Sequence, residues 1–143
     1  MSISKASAEW NGTLKAGKGA MRPAHGGEIP FSFGTRFEGA QGSNPEELIG
    51  AALAGCFSMA LSLGLEQAGI TPDSIRSSAK VHLEKDGAGF GIPRIELSLV
   101  GRVPGLDEAA FKEAAEGAKA GCPVSKALAS VPEITLDARL EGE

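Results

Sequence analysis

From Leu48 to Leu65 the chain runs for 18 residues without a charged side chain, and this stretch limits its possible folds more than any other. Its length is that at which a membrane-crossing helix becomes a candidate. However, the run is rich in Ala, Gly and Ser, and the rest of the chain reads as water-soluble strands and helices. A helix apolar on nearly every side can instead form the centre of a soluble core. A long buried helix and no membrane partner are therefore expected. Its start is legible. Asn44 is a suitable N-cap, and Pro45 at the first helical position has no amide donor to leave unpaired. Glu47, three residues after the cap, stands where a capping box needs it. The expected end is near Gly69. Gly50, Gly55 and Gly64 each cost about 1 kcal/mol against Ala. That cost suits a helix approached closely by other backbone, so crowding is expected, with a break near Gly55.

Strands are expected on either side of this helix. Ala8 and Trp10 alternate with polar residues up to Asn11-Gly12, a hairpin-turn signal, with a return strand over 13–21. Phe31, Phe33, Thr35 and Phe37 then share one strand face, which sends Arg36 to the other. After the helix, Ile75, Ser77, Ala79, Val81 and Leu83 form one face of a strand. Ile95, Leu97, Leu99 and Val103 form the inner face of the next. A helix over 106–120 has an expected inner stripe of Leu106, Ala110, Ala114 and Ala118. Cys122-Pro123 opens a short helix over 124–130, and a strand over 133–140 closes the order. The layout is α+β with antiparallel sheets, not the regular alternation of a nucleotide-binding fold.

The chain has 143 residues, enough for one domain over residues 1–143. A net charge of -4, six Phe and one Trp argue against nucleic-acid binding, which calls for a basic face and stacking aromatics. The N-terminal residues lack an apolar run of signal-peptide length, so a cytoplasmic location is expected. In that reducing compartment two cysteines more often mean redox or catalytic work than a permanent staple. His25 in a loop and His82 on a polar strand face have no third ligand at metal spacing, so no metal site is expected. Local physics ranks Cys122 as the better nucleophile, because a helix N-terminus favours a thiolate. Cys56 sits mid-helix among Leu53, Phe57, Met59 and Ala60, where burial raises a thiol pKa.

The strings GTRFEGAQGSNPEELIGAALAGCFSMALSL and KAGCPVSKAL resemble those of the OsmC family, relatives of the organic hydroperoxide resistance proteins. The likeness runs from Glu9-Trp10 through Leu140. It implies an OsmC-like fold in an intertwined homodimer, with active sites at the interface. It further implies a thiol-dependent peroxidase that reduces organic hydroperoxides and, more weakly, hydrogen peroxide. Cys56 would be the peroxidatic cysteine and Cys122 the resolving one. Arg36 would hold the thiolate, and Glu46 would orient Arg36. No cofactor is implied. The reductant would be an external dithiol, such as a lipoylated protein.

Helix geometry restricts that arrangement. At about 100° per residue, Glu46 lies roughly 80° around the helix from Cys56, and Glu47 about 180° away. Glu46 can therefore serve the site, whereas Glu47 is better explained as a cap. Yet ten residues of helix rise about 15 Å. Either Arg36 bridges that gap, or the Arg36–Glu46 pair comes from a second subunit. A hydrolase pairing a cysteine with His25 or His82 lacks support in the spacing. A non-catalytic protein holding a hydrophobic ligand at the dimer interface is the other class of function, but it has no need of Cys122.

Overall fold

In a computed structural model of the chain, which describes residues 1–141, the Asn11-Gly12 signal does end a strand. Strand β1 (Ala6–Asn11) pairs antiparallel with β2 (Lys18–Pro23). The return strand begins at Lys18, not Thr13, because the loop folds on itself: Gly17 N–H donates to Thr13 O at 2.8 Å. Strand β3 (Ile29–Phe31) adds to β2, giving a three-stranded sheet in the order β1-β2-β3. With the residues up to Leu48, this sheet makes up the first of two compact units; the second begins at Ile49.

The expected strand through Phe37 stops at Phe31. Residues Phe33–Phe37 form a short helix, α1, capped by Ser32. Ser32 Oγ accepts from Thr35 N–H at 3.2 Å, while Ser32 N–H donates to Thr35 Oγ1 at 2.9 Å. This reciprocal cap satisfies two donors that a helix start otherwise leaves open. It outweighs the alternating phenylalanines, since Phe33 and Phe37 are also neighbours at helical spacing, with ring centroids 5.0 Å apart.

The uncharged run folds as one unbroken helix, α2 (Pro45–Gln67). Asn44 caps it as expected, its Oδ1 accepting from Glu47 N–H at 2.8 Å. The Glu47 carboxylate accepts from Ser43 Oγ instead of closing a capping box. Gly69 follows the last turn at φ +79, a left-handed conformation that glycine adopts freely. The expected break at Gly55 does not occur. Crowding is met at Gly50, where an added Cβ would lie 3.3 Å from Val81 Cγ2, but nothing stands within 4 Å of Gly55 or Gly64.

The expectation of burial on nearly every side is also corrected. Leu53, Phe57, Leu61 and Leu65, four residues apart, are buried in the core of the second unit. The opposite stripe of Ala52, Gly55, Met59 and Leu63 is open in the single chain, with Met59 77% and Leu63 54% exposed. Among the described residues α2 is the one helix long and apolar enough, by length and composition, to cross a membrane.

Strands β4 (Ser74–Asp86) and β5 (Gly89–Arg102) form a long antiparallel hairpin, and Ile95, Leu97, Leu99 and Val103 are buried as expected. Helices α3 (Glu108–Gly121) and α4 (Pro123–Ala127) lead to β6 (Glu133–Leu140). Antiparallel pairing fails here: β6 lies parallel to β5, from Arg94↔Glu133 to Gly101↔Leu140. The α3–α4 crossover carries the chain back to the starting end of β5, as a parallel neighbour requires. The helix expected from residue 106 starts at Glu108, because Asp107 caps it by accepting from Ala110 N–H at 2.8 Å. That start turns the inner stripe to Phe111, Ala115 and Ala118. Phe111 closes over Gly101, where an added Cβ would lie 2.5 Å from the ring. Phe111→Ala should therefore cost about 3–5 kcal/mol of stability. Urea unfolding measures this, and an unchanged midpoint would refute the packing role.

Candidate active site

The first unit brings Arg36 onto Glu46. Asn44 Nδ2 donates to Thr35 O at 3.1 Å, which ties α1 to the start of α2. Arg36 Nε then donates to Glu46 Oε1 at 2.8 Å and lies 3.3 Å from Oε2, while Nη2 reaches Oε1 at 2.7 Å. Such an edge-on contact fixes both the position and the plane of a guanidinium. Among the described residues, Glu46 alone of the polar and charged side chains is buried, at 6% exposure. A carboxylate so buried is stable only when paired. Because Arg36 sits on a helical turn and not on a strand, it does not point away from the phenylalanines. Its guanidinium lies 5.2 Å from the Phe37 ring centroid.

The second unit brings Cys56 and Cys122 together. Cys122 links α3 to α4: its N–H donates to Ala118 O at 2.9 Å, and its O accepts from Lys126 N–H at 3.1 Å. Its backbone is extended, with φ -61 and ψ 127, the conformation a following proline favours. Cys122 is fully buried, and its thiol lies 2.7 Å from Cys56 Sγ, which accepts the hydrogen bond. Both are free thiols, and Cys56 on α2 is partly exposed.

Burial first, then the proton and negative charge shared with the neighbouring Cys122, pushes the Cys56 thiol above its ordinary value of 9.0. A hydrogen bond from the Val124 backbone pulls the other way, and no cation contributes. This alters the expected role of the α4 N-terminus. Cys122 makes no side-chain cap bond there; the Val124 amide meets Cys56 instead. The sequence signal was present in Pro123, which has no N–H, so that the first amide α4 can offer belongs to Val124. Sequence reasoning missed that contact because it depends on where α2 and α4 meet.

His25 is exposed, but His82 is not simply solvated: its Nε2 lies 2.6 Å from Glu96 Oε2. The hairpin register sets His82 against Arg94 and Lys80 against Glu96, so His82 and Glu96 are diagonal neighbours. The His82 bond, opposed by burial and aided by Arg94 and Lys80, holds the Glu96 carboxyl below its ordinary range. No group of three or more metal-ligating side chains occurs among the described residues. Of the other aromatic and methionine side chains, Phe57 is core, while Met59 and Phe90 are exposed.

A family model described as OsmC-like protein matches residues 38–137. Peroxiredoxin OsmC of Escherichia coli (strain K12) is 52% identical over 139 residues, covering 96% of each chain. Organic hydroperoxide resistance protein OhrB of Bacillus subtilis (strain 168) is 30% identical over 128 residues, covering 87% of this chain and 93% of its own. The crystal structure of an OsmC-like protein from Mycoplasma pneumoniae superposes with a TM-score of 0.76 at 18% identity, covering 99% of both chains. That last likeness concerns the fold alone.

Proposed function

The chain belongs to the OsmC family, and on that premise we propose that it is a cysteine-based peroxidase acting on organic hydroperoxides. The observation that carries this is the 2.7 Å approach of the two sulfurs. Two free thiols at that distance can form a disulfide with little movement. The Cys56 thiolate attacks the peroxide O–O bond, taking one oxygen as a sulfenic acid and releasing an alkoxide that is protonated to the alcohol. The Cys122 thiolate then attacks the Cys56 sulfur and expels hydroxide, which takes up the proton that the Cys122 thiol released and leaves as water, giving a disulfide. An external dithiol, such as a lipoyl group on a carrier protein, returns both thiols by exchange and is itself oxidised.

Arg36 stabilises the Cys56 thiolate and the developing alkoxide, and Glu46 holds Arg36 in the required plane. Ten residues of continuous helix separate Glu46 from Cys56, so the Arg36–Glu46 pair is supplied by the second subunit of a homodimer. The open stripe of Ala52, Gly55, Met59 and Leu63 supports such a partner. An apolar helix face of this length is uncommon on a free surface, and Gly55 and Gly64 leave room for close approach. A fully active monomer in sedimentation would remove the dimer from this account. Residues 1–143 form one OsmC-like domain of a cytoplasmic protein.

Thiol titration and intact mass before and after one equivalent of cumene hydroperoxide test the reaction. Both free thiols should disappear, with the loss of two hydrogens and no added oxygen. Two thiols persisting after the peroxide is consumed would overturn the two-cysteine reaction.

A further inference from the structure

The first unit contains a cavity of about 480 Å³ lined by Trp10, Leu14, Phe31, Phe33, Phe37 and Arg36 among others. Its size suits a small organic molecule and far exceeds what hydrogen peroxide would fill. Two aromatic pairs build it: Trp10 and Phe31 with centroids 5.3 Å apart, and Phe33 and Phe37 at 5.0 Å. The Trp10–Phe31 pair depends on Gly19, where an added Cβ would lie 2.5 Å from Trp10 and 2.8 Å from Phe31. The indole N–H is occupied by Gly12 O at 3.1 Å and Thr13 O at 3.3 Å.

Two cations stand beside this apolar space. Arg36 is one, held by Glu46. The other is Lys15, whose Nζ lies 5.9 Å from the Phe33 ring centroid. A cation over an aromatic face is held there by the ring quadrupole. Lys15 forms no ion pair among the described residues, so its charge is available to a ligand lying against Phe33.

Resting on the peroxidase reading, we infer that Lys15 is a specificity-determining residue that receives the carboxylate of a hydroperoxy carboxylic acid. The hydrocarbon body of that substrate lies in the aromatic cavity and its hydroperoxide points to Arg36. Lys15 takes no part in the redox steps and acts on substrate capture alone.

The test compares kcat/KM for a hydroperoxy carboxylic acid and for its methyl ester, in the parent and in Lys15→Ala, Lys15→Glu and Lys15→Arg. The parent should favour the acid. Lys15→Ala should reduce the acid-to-ester ratio by about 5-fold, the upper range for one exposed ion pair, mainly through KM. Lys15→Glu should reduce it further, Lys15→Arg should retain it, and added salt should erode it. A ratio unchanged across the variants, or one that follows folding yield, would overturn the inference while leaving the peroxidase intact. A parent that consumes neither peroxide would instead bring down the reading on which it rests.

Discussion

Replacing Cys56 by serine should reduce organic hydroperoxide consumption to background, a loss on the order of 10⁴-fold or more, as for other covalent nucleophiles. The serine keeps the shape of the site and a hydrogen-bond partner for the Val124 amide. However, a hydroxyl has far less nucleophilic anion at neutral pH than a thiol. Cys122→Ser should behave differently. Its first turnover should proceed near the parent rate, because Cys56 attacks without it. The sulfenic acid then has no partner at 2.7 Å, and excess peroxide drives it to the sulfinic acid. Stopped-flow peroxide consumption and intact mass separate the two variants. A Cys56→Ser protein that turns over at the parent rate would end the assignment of Cys56. Full multiple turnover by Cys122→Ser would end that of Cys122.

Arg36→Ala should slow attack on the peroxide by about 10²–10³-fold, the effect of removing one preorganised charge-stabilising donor. A second consequence distinguishes electrostatics from folding. Burial and Cys122 already push the Cys56 thiol upward from 9.0, and the thiolate is the form present above the pKa. Without the cation, the alkaline rise of the rate should therefore move to higher pH. Arg36→Lys should keep part of the charge effect but lose the edge-on fit to Glu46. Mixing the Arg36→Ala and Cys56→Ser proteins under exchange conditions should recover up to about a quarter of the parent activity. Half of randomly mixed dimers contain one of each, and each restores one of its two sites. Formation of mixed dimers with no recovery would put Arg36 and Cys56 of one site in the same subunit. An unchanged rate and pH profile in Arg36→Ala would remove the arginine from the reaction.

Elements governed by short-range rules were legible in the chain. The Asn44-Pro45 helix start, the alternating interior of Ile95, Leu97 and Leu99, and the boundaries of β6 each follow from spacing and local chemistry. The segment around Arg36 was misjudged because Phe31, Phe33, Thr35 and Phe37 fit a strand period while Phe33 and Phe37 also fit a helical one. A cap from Ser32 decided between them. The α3 stripe was misaligned because its frame depends on which residue caps it. The parallel placement of β6 was not legible either, since spacing reveals a strand but not its neighbour.

A long uncharged helix carrying Cys56, a second cysteine before a proline, and an arginine and a glutamate on either side of a helix start can all be read from the letters alone. These depend on residue type and on separations of a few residues. Folding in three dimensions is needed to show that Cys122 meets Cys56, that the Val124 amide reaches Cys56, and that Arg36 closes on Glu46. Each of those contacts joins parts of the chain whose approach is set by packing, and local propensity carries no record of it. The helix shows both limits. Its apolar length was readable from the letters, but the core of the second unit covers a single stripe, Leu53, Phe57, Leu61 and Leu65, and Met59 and Leu63 lie on the other side of the helix, exposed.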